Sequence, residues 1–156
     1  MLRDFLKNWS PRVETPGELR QAGAMPYALV EGRMAFLLIT SRRSGKWIFP
    51  KGAIEPGLTP WQSAAMEALE EAGVSGEIDS NPVGSYRAST GGDGATLVDV
   101  DLYPLLVVEQ HQDWRERDQR LRHWVTLSEA RRLLADQSLG RLAARLHAQI
   151  LGQASR

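Results

Sequence analysis

The chain has 156 residues, with 19 Lys and Arg balanced by 19 Asp and Glu, no cysteine, and 42% hydrophobic residues. That length holds one domain with a sizeable core and leaves little room for a second, and the lack of cysteine excludes a disulfide framework, a thiol nucleophile and a Cys-ligated zinc site. Zero net charge argues against a general nucleic-acid binder, and no charge-free stretch approaches the roughly 20 apolar residues of a membrane span.

At the start, Asp4 and Lys7 fall where a signal peptide needs an unbroken apolar run, so the expected setting is cytoplasmic. Residues 1–21 are polar and interrupted by Pro11, Pro16 and Gly17, and read as a short helix or arm before a domain over 22–151 and a tail over 152–156. Pro26–Val30 and Met34–Thr40 are apolar, β-prone runs around Glu31-Gly32-Arg33 and predict a hairpin. A basic loop, Ser41–Lys46, leads to a short strand at Trp47-Ile48-Phe49.

Next come a Gly- and Pro-containing loop and a helix expected over Pro60–Ala72. Thr59 and Gln62 form a capping-box pattern, Pro60 sits at the first helical position, and Gly73 marks the stop. Ser75–Ser89 and Ala95–Val108 read as strands around Gly91–Gly94, with Pro104 implying an edge position or a bulge in the second. Leu121–Thr126 is a further strand. Ser128–Ala135 and Leu139–Leu151 have helical spacing, with Leu139, Leu142, Leu146 and Ile150 on one stripe. Strands before and after a central helix point to an α/β layered domain with a mixed sheet.

Charge is unevenly spread. Residues 1–60 carry +4, residues 61–110 carry −8, and residues 111–156 carry +4. The central block includes Glu67, Glu70 and Glu71, which share an arc of about 100° on an ideal helix, opposite Trp61, Ala65, Ala68, Leu69 and Ala72. Three carboxylates so spaced repel one another, and they lie near the negative end of the helix dipole. With no Lys or Arg in the helix to relieve them, a divalent cation would remove both costs. A solvated acidic face is the plainer reading of such a cluster alone.

The preceding loop shifts that balance. Gly52-Ala53-Ile54-Glu55-Pro56-Gly57, followed by Glu67-Ala68-Leu69-Glu70-Glu71-Ala72-Gly73-Val74, resembles the Nudix box of the Nudix hydrolase superfamily over 23 residues. Two positions depart from it: Leu58 replaces the first box Glu, and Met66 the Arg before the first helical Glu. One hypothesis is a single exchange, in which an apolar contact takes the place of an ion pair bracing loop against helix.

The resemblance implies a Nudix-type α/β/α sandwich with a mixed β-sheet and cleavage of a diphosphate linked to another group. It implies Mg²⁺ (or Mn²⁺) held by Glu67, Glu70, Glu71 and the backbone carbonyl of Lys51, with Glu70 and Glu67 as catalytic residues. Glu109 and Glu116 are candidate bases outside the box. Arg42, Arg43, Lys46 and Lys51 flank the strand entering the box and are the candidate phosphate-binding residues. Asp99 and Asp101 read as a solvent-facing pair, and the three histidines show no ligand spacing.

The stretch Ser41–Gly52, with Gln112–Glu116 and Arg122-His123-Trp124, resembles the diphosphoinositol polyphosphate phosphohydrolase branch. That branch cleaves diphosphoinositol polyphosphates and diadenosine polyphosphates, polyanions that the basic flanks could steer. Alternatives are another Nudix pyrophosphatase acting on a nucleotide sugar, a dinucleotide or an RNA 5′ end, and a Nudix-fold module that binds a nucleotide or polyphosphate without cleaving it. The expected partner is a phosphorylated small molecule, with no membrane, and the protein acting as monomer or homodimer.

Overall fold

The structure is a computed structural model that describes residues 20–90 and 96–154. The expected N-terminal arm lies outside the described residues up to residue 19, as does the hairpin tip at Gly91–Gly94. The strands are β1 (Arg20–Val30), β2 (Arg33–Thr40), β3 (Trp47–Ile48), β4 (Lys51–Ala53), β5 (Val74–Ile78), β6 (Gly84–Thr90), β7 (Thr96–Gln110) and β8 (Arg122–Val125). The helices are α1 (Pro60–Glu67), continued by a π-helical turn over Ala68–Ala72, then α2 (Leu127–Leu133) and α3 (Gln137–Ala154).

All eight strands form one mixed sheet. β1 and β7 lie parallel at its centre, β2 and β4 pair antiparallel with β1, and β5 and β6 pair antiparallel with β7. The β1–β2 hairpin turns through Glu31 (φ 53°) and Gly32 (φ 77°), two left-handed residues as a tight hairpin turn requires. Alternation along each strand sends side chains to two cores. Met25, Phe36, Leu38, Val100 and Leu102 face α2 and α3, whose Leu139, Leu142 and Leu146 are buried against them. Ala22, Ala24, Leu37, Ile39, Tyr103 and Leu105 face α1 and its π turn. The expected α/β/α sandwich and the leucine stripe of the last helix are both present.

Three local readings need correction. The run read as one strand over Ser75–Ser89 is two strands, β5 and β6, which pair with successive lengths of β7. Pro104 is neither on an edge strand nor at a bulge in β7. It sits in the central strand opposite Met25, and the two-face alternation continues through it from Val98 to Leu105. The physical reason is the gap between β6, whose pairing ends at Leu102, and β5, whose pairing begins at Leu105. The Pro104 carbonyl accepts from Asp79 N–H at 2.9 Å on that side, where the ladder needs no donor from residue 104 itself.

The third correction concerns the box helix. The capping box at Thr59 and Gln62 is present, but the α-helix stops at Glu67 and the last turn widens to π geometry before Gly73 ends it in the left-handed region (φ 69°). The buried line is Ala64, Ala68 and Ala72, a four-residue repeat of small side chains packed against Ala22 and Ala24 of β1. Leu69, expected in the core from an ideal 3.6-residue wheel, is 42% exposed, whereas Glu71 is only 7% exposed.

Candidate functional site

Strand β4 and the π turn bring the box residues together. The backbone N–H of Lys51 donates to Glu71 Oε1 at 3.2 Å. Glu67 packs its carboxylate onto Gly52, where any Cβ would collide with it. Glu67 and Glu71 are hydrogen-bonded to each other through one proton. Burial first, and then the neighbouring Glu71 charge, pushes the Glu67 carboxyl up to about 8. Burial also raises Glu71, although the Arg120 guanidinium beside it pulls the other way. Lys51 Nζ donates to Gln21 Oε1 at 3.0 Å, and burial lowers its pKa against the pull of Glu71 and Glu67.

Among the described residues, no three His, Asp or Glu side chains converge closely enough to form a ready metal cage. Glu70 is paired with Arg115, its Oε2 lying 3.2 Å from an Arg115 Nη. The Glu67–Glu71 pair nonetheless fits a divalent cation. A buried carboxylate and a half-buried one that share a proton, pressed against a glycine, form a hard oxygen donor pair that suits such an ion.

Loop 111–121, between β7 and β8, closes over this pair. Arg120, only 7% exposed at its side chain, reaches Glu71 Oε2 at 3.3 Å, Glu116 Oε1 at 2.7 Å and the Thr40 carbonyl at 2.9 Å. The same loop, with Arg122 at the start of β8, caps the end of the π turn. The Glu70 carbonyl accepts from Glu116 N–H (3.1 Å), that of Glu71 from Trp114 Nε1 (3.2 Å), that of Ala72 from Arg122 (3.0 Å), and that of Gly73 from His111 N–H (2.8 Å). Arg122 stacks 3.8 Å above the Trp114 ring. Four consecutive carbonyls that a helix C-terminus leaves unpaired are thus satisfied, and the cation of Arg122 lies where the helix dipole favours one.

A cavity of about 550 Å³ opens beside the pair, lined by Arg42, Arg43, Lys46, Lys51, Glu71 and Arg120 among others. All four candidate phosphate-binding residues therefore border one space with Glu71. Of the outside candidates, Glu116 is half-buried beside Glu71, whereas Glu109 is exposed near the end of β7 and does not line the cavity. Asp99 and Asp101 are tied up rather than simply solvated: Arg20 bonds Asp101 at 2.6 Å and Arg87 bonds Asp99 at 2.9 Å. Leu58 is 37% exposed, and the loop is tied to the helix by Glu55 N–H donating to Ser63 Oγ at 2.9 Å.

Sequence reasoning missed Arg120 and Gln21, and named Trp114, Arg115 and Arg122 only within the branch resemblance, with no role at the site. The signal available for the arginines was four in eight residues, Arg115–Arg122, following an acidic helix with no cation of its own. Nothing in the sequence marked which of them would be buried.

A mixed sheet between helices, with a glycine-backed pair of glutamates at the end of a strand–loop–helix unit, makes this an α/β sandwich protein with an acidic pair beside a cation-lined cavity. The NUDIX domain family model matches residues 19–146, and the chain belongs to the Nudix family. It is 34% identical over 124 residues to Nudix hydrolase 21, chloroplastic, of Arabidopsis thaliana, covering 76% of this chain and 61% of that protein. It is 27% identical over 132 residues to the human diphosphoinositol polyphosphate phosphohydrolase NUDT4B, covering 83% of this chain and 70% of that one. Among solved structures, a C. elegans Ap4A hydrolase binary complex superposes with a TM-score of 0.66 at 25% identity, covering 86% of this chain and 98% of that one. The chain spans 61–63% of the length of the plant relatives Nudix hydrolases 21, 12 and 4. No helix among the described residues is long and apolar enough to cross a membrane.

Proposed function

We propose that this protein is a divalent-metal-dependent hydrolase that cleaves a diphosphate linkage in a phosphate-rich small molecule, with diphosphoinositol polyphosphates and diadenosine polyphosphates as the substrate candidates. The observation that carries this reading is the Glu67–Glu71 carboxylate pair packed against Gly52, with Glu71 lining a cavity rimmed by Arg42, Arg43, Lys46 and Lys51. The relatives named above support it as family members.

Glu67, Glu71 and the Lys51 carbonyl, with Glu70 joining through a water, would hold Mg²⁺ or Mn²⁺, which would supply neutralisation of the diphosphate and a lowered pKa for the attacking water. The chain does the rest. Arg42, Arg43, Lys46 and Lys51 bind and orient the phosphates. Arg120 holds Glu71 and Glu116 in place from outside the box, supplying near the carboxylates the cation that Met66 no longer provides. Glu70 accepts the proton of the water whose oxygen attacks phosphorus as the bridging P–O bond breaks, and Glu116 is the second group placed for that task. A cytoplasmic location remains part of the proposal, fitting a cysteine-free chain.

Leu58 and Met66 favour one competing reading, a module that binds without cleaving. Incubating the protein with Mg²⁺ and a panel of diphosphoinositol polyphosphates, diadenosine polyphosphates, nucleotide sugars and capped RNA separates the two. Turnover of one class supports the hydrolase, and tight binding with no turnover of any supports the module.

A further inference from the structure

The cavity beside Glu71 is electrically lopsided. Its cations come from the Ser41–Lys46 loop, Lys51 and Arg120, whereas the opposite wall, built from β6 and the α2–α3 junction, contributes Tyr86, Thr90 and Asp136. Arg87 also lies on that side, but its Nε is bonded to Asp99 Oδ1 at 2.9 Å. Tyr86 is 7% exposed, and its hydroxyl has no hydrogen-bond partner among the described residues. A buried phenol without a partner costs free energy, so its place on a cavity wall points to a ligand that completes it. Burial, with the Asp136 and Glu71 charges, raises the phenol's pKa and keeps it a donor. Asp136 is exposed and caps α3 through one oxygen, Oδ1 accepting from Ser138 N–H at 2.9 Å, which leaves its other oxygen open to solvent and available to a ligand in the cavity.

We infer that Tyr86 and Asp136 are specificity-determining residues that receive hydroxyl groups on the non-phosphate part of the substrate, the phenol donating and the carboxylate accepting, while the carboxylate turns away a ring phosphate. The inference rests on the cavity being the diphosphate site proposed above and narrows its substrate class. Phosphates lie against the cationic side, and the group beyond them is uncharged and hydroxyl-bearing, as the ribose of a nucleoside diphosphate is. A cyclitol phosphorylated at every position would set a phosphate beside Asp136, a like-charge contact that disfavours it.

The test is calorimetric binding to the full chain with Mg²⁺, using three probes that resist cleavage: a methylene-bridged nucleoside diphosphate, methylenediphosphonate and inositol hexakisphosphate. Tyr86→Phe and Asp136→Asn keep side-chain shape, and Asn keeps an acceptor for the α3 cap. Each is expected to weaken the nucleoside probe by about fivefold, the worth of one hydrogen bond, and to leave methylenediphosphonate unchanged. Asp136→Asn is also expected to tighten inositol hexakisphosphate. Equal losses for the nucleoside probe and methylenediphosphonate, no loss for either variant, or an unaltered inositol hexakisphosphate affinity in Asp136→Asn would overturn the inference. The expected binding pattern without turnover of any diphosphate substrate would sink the hydrolase reading and leave this one standing, whereas turnover with flat binding ratios would do the reverse.

Discussion

A carboxylate buried beside another carboxylate costs free energy unless a proton or a cation lies between them. Glu67 and Glu71 meet this condition with a shared proton, which gives the folded protein a pH signature. The folded-state pKa of Glu67 lies at about 8, above its ordinary 4.5. The folded state therefore binds more protons than the unfolded one between these values. The pair's contribution to stability is fully present below the ordinary carboxylate pKa and is lost as pH rises through about 8. In chelator, the melting temperature should fall across this window, and saturating Mg²⁺ or Glu67→Gln should flatten the slope. Gly52 is the second residue-scale test. A methyl there meets the Glu67 carboxylate, and misplacing a catalytic group by about 1 Å costs about 100-fold in rate. Gly52→Ala should lower kcat by that order in steady-state kinetics while circular dichroism shows the fold intact.

At the scale of elements, loop 111–121, the first residue of β8 and the π turn form one unit, because the loop supplies donors for three of four consecutive carbonyls and Arg122 of β8 supplies the fourth. Arg122→Met removes the donor to Ala72 and the cation over Trp114, and should cost about 2 kcal/mol in urea unfolding. Arg122→Lys should recover part of that through its charge at the helix end. This unit was only half legible in the sequence. The helix start was plain because capping box and proline are local chemistry, while the widening after Glu67 depends on packing Ala64, Ala68 and Ala72 against Ala22 and Ala24. An ideal wheel consequently placed Leu69 inside. Pro104 misled for a related reason: the rule that proline avoids central strands concerns its missing donor, and the β5–β6 gap removes the need for one.

At the scale of the molecule, the fold positions opposite charges around one opening. The strand β4 and the π turn carry the acidic pair, the Ser41–Lys46 loop brings cations from one side, and loop 111–121 brings them from another. The +4, −8, +4 blocks along the chain outline this arrangement without its contacts. Layer order and the leucine stripe of α3 were readable from periodicity. The pairing of Arg120 with Glu71 spans 49 positions and rests on tertiary structure alone. The measurement that tests the account most directly is Mg²⁺-dependent phosphate release by wild type and Glu71→Gln, each with and without chelator, on the substrate panel. The account predicts turnover of at least one diphosphate substrate by wild type, abolished by chelator and in Glu71→Gln. Equal release by the two proteins, or release that survives chelation, would contradict it.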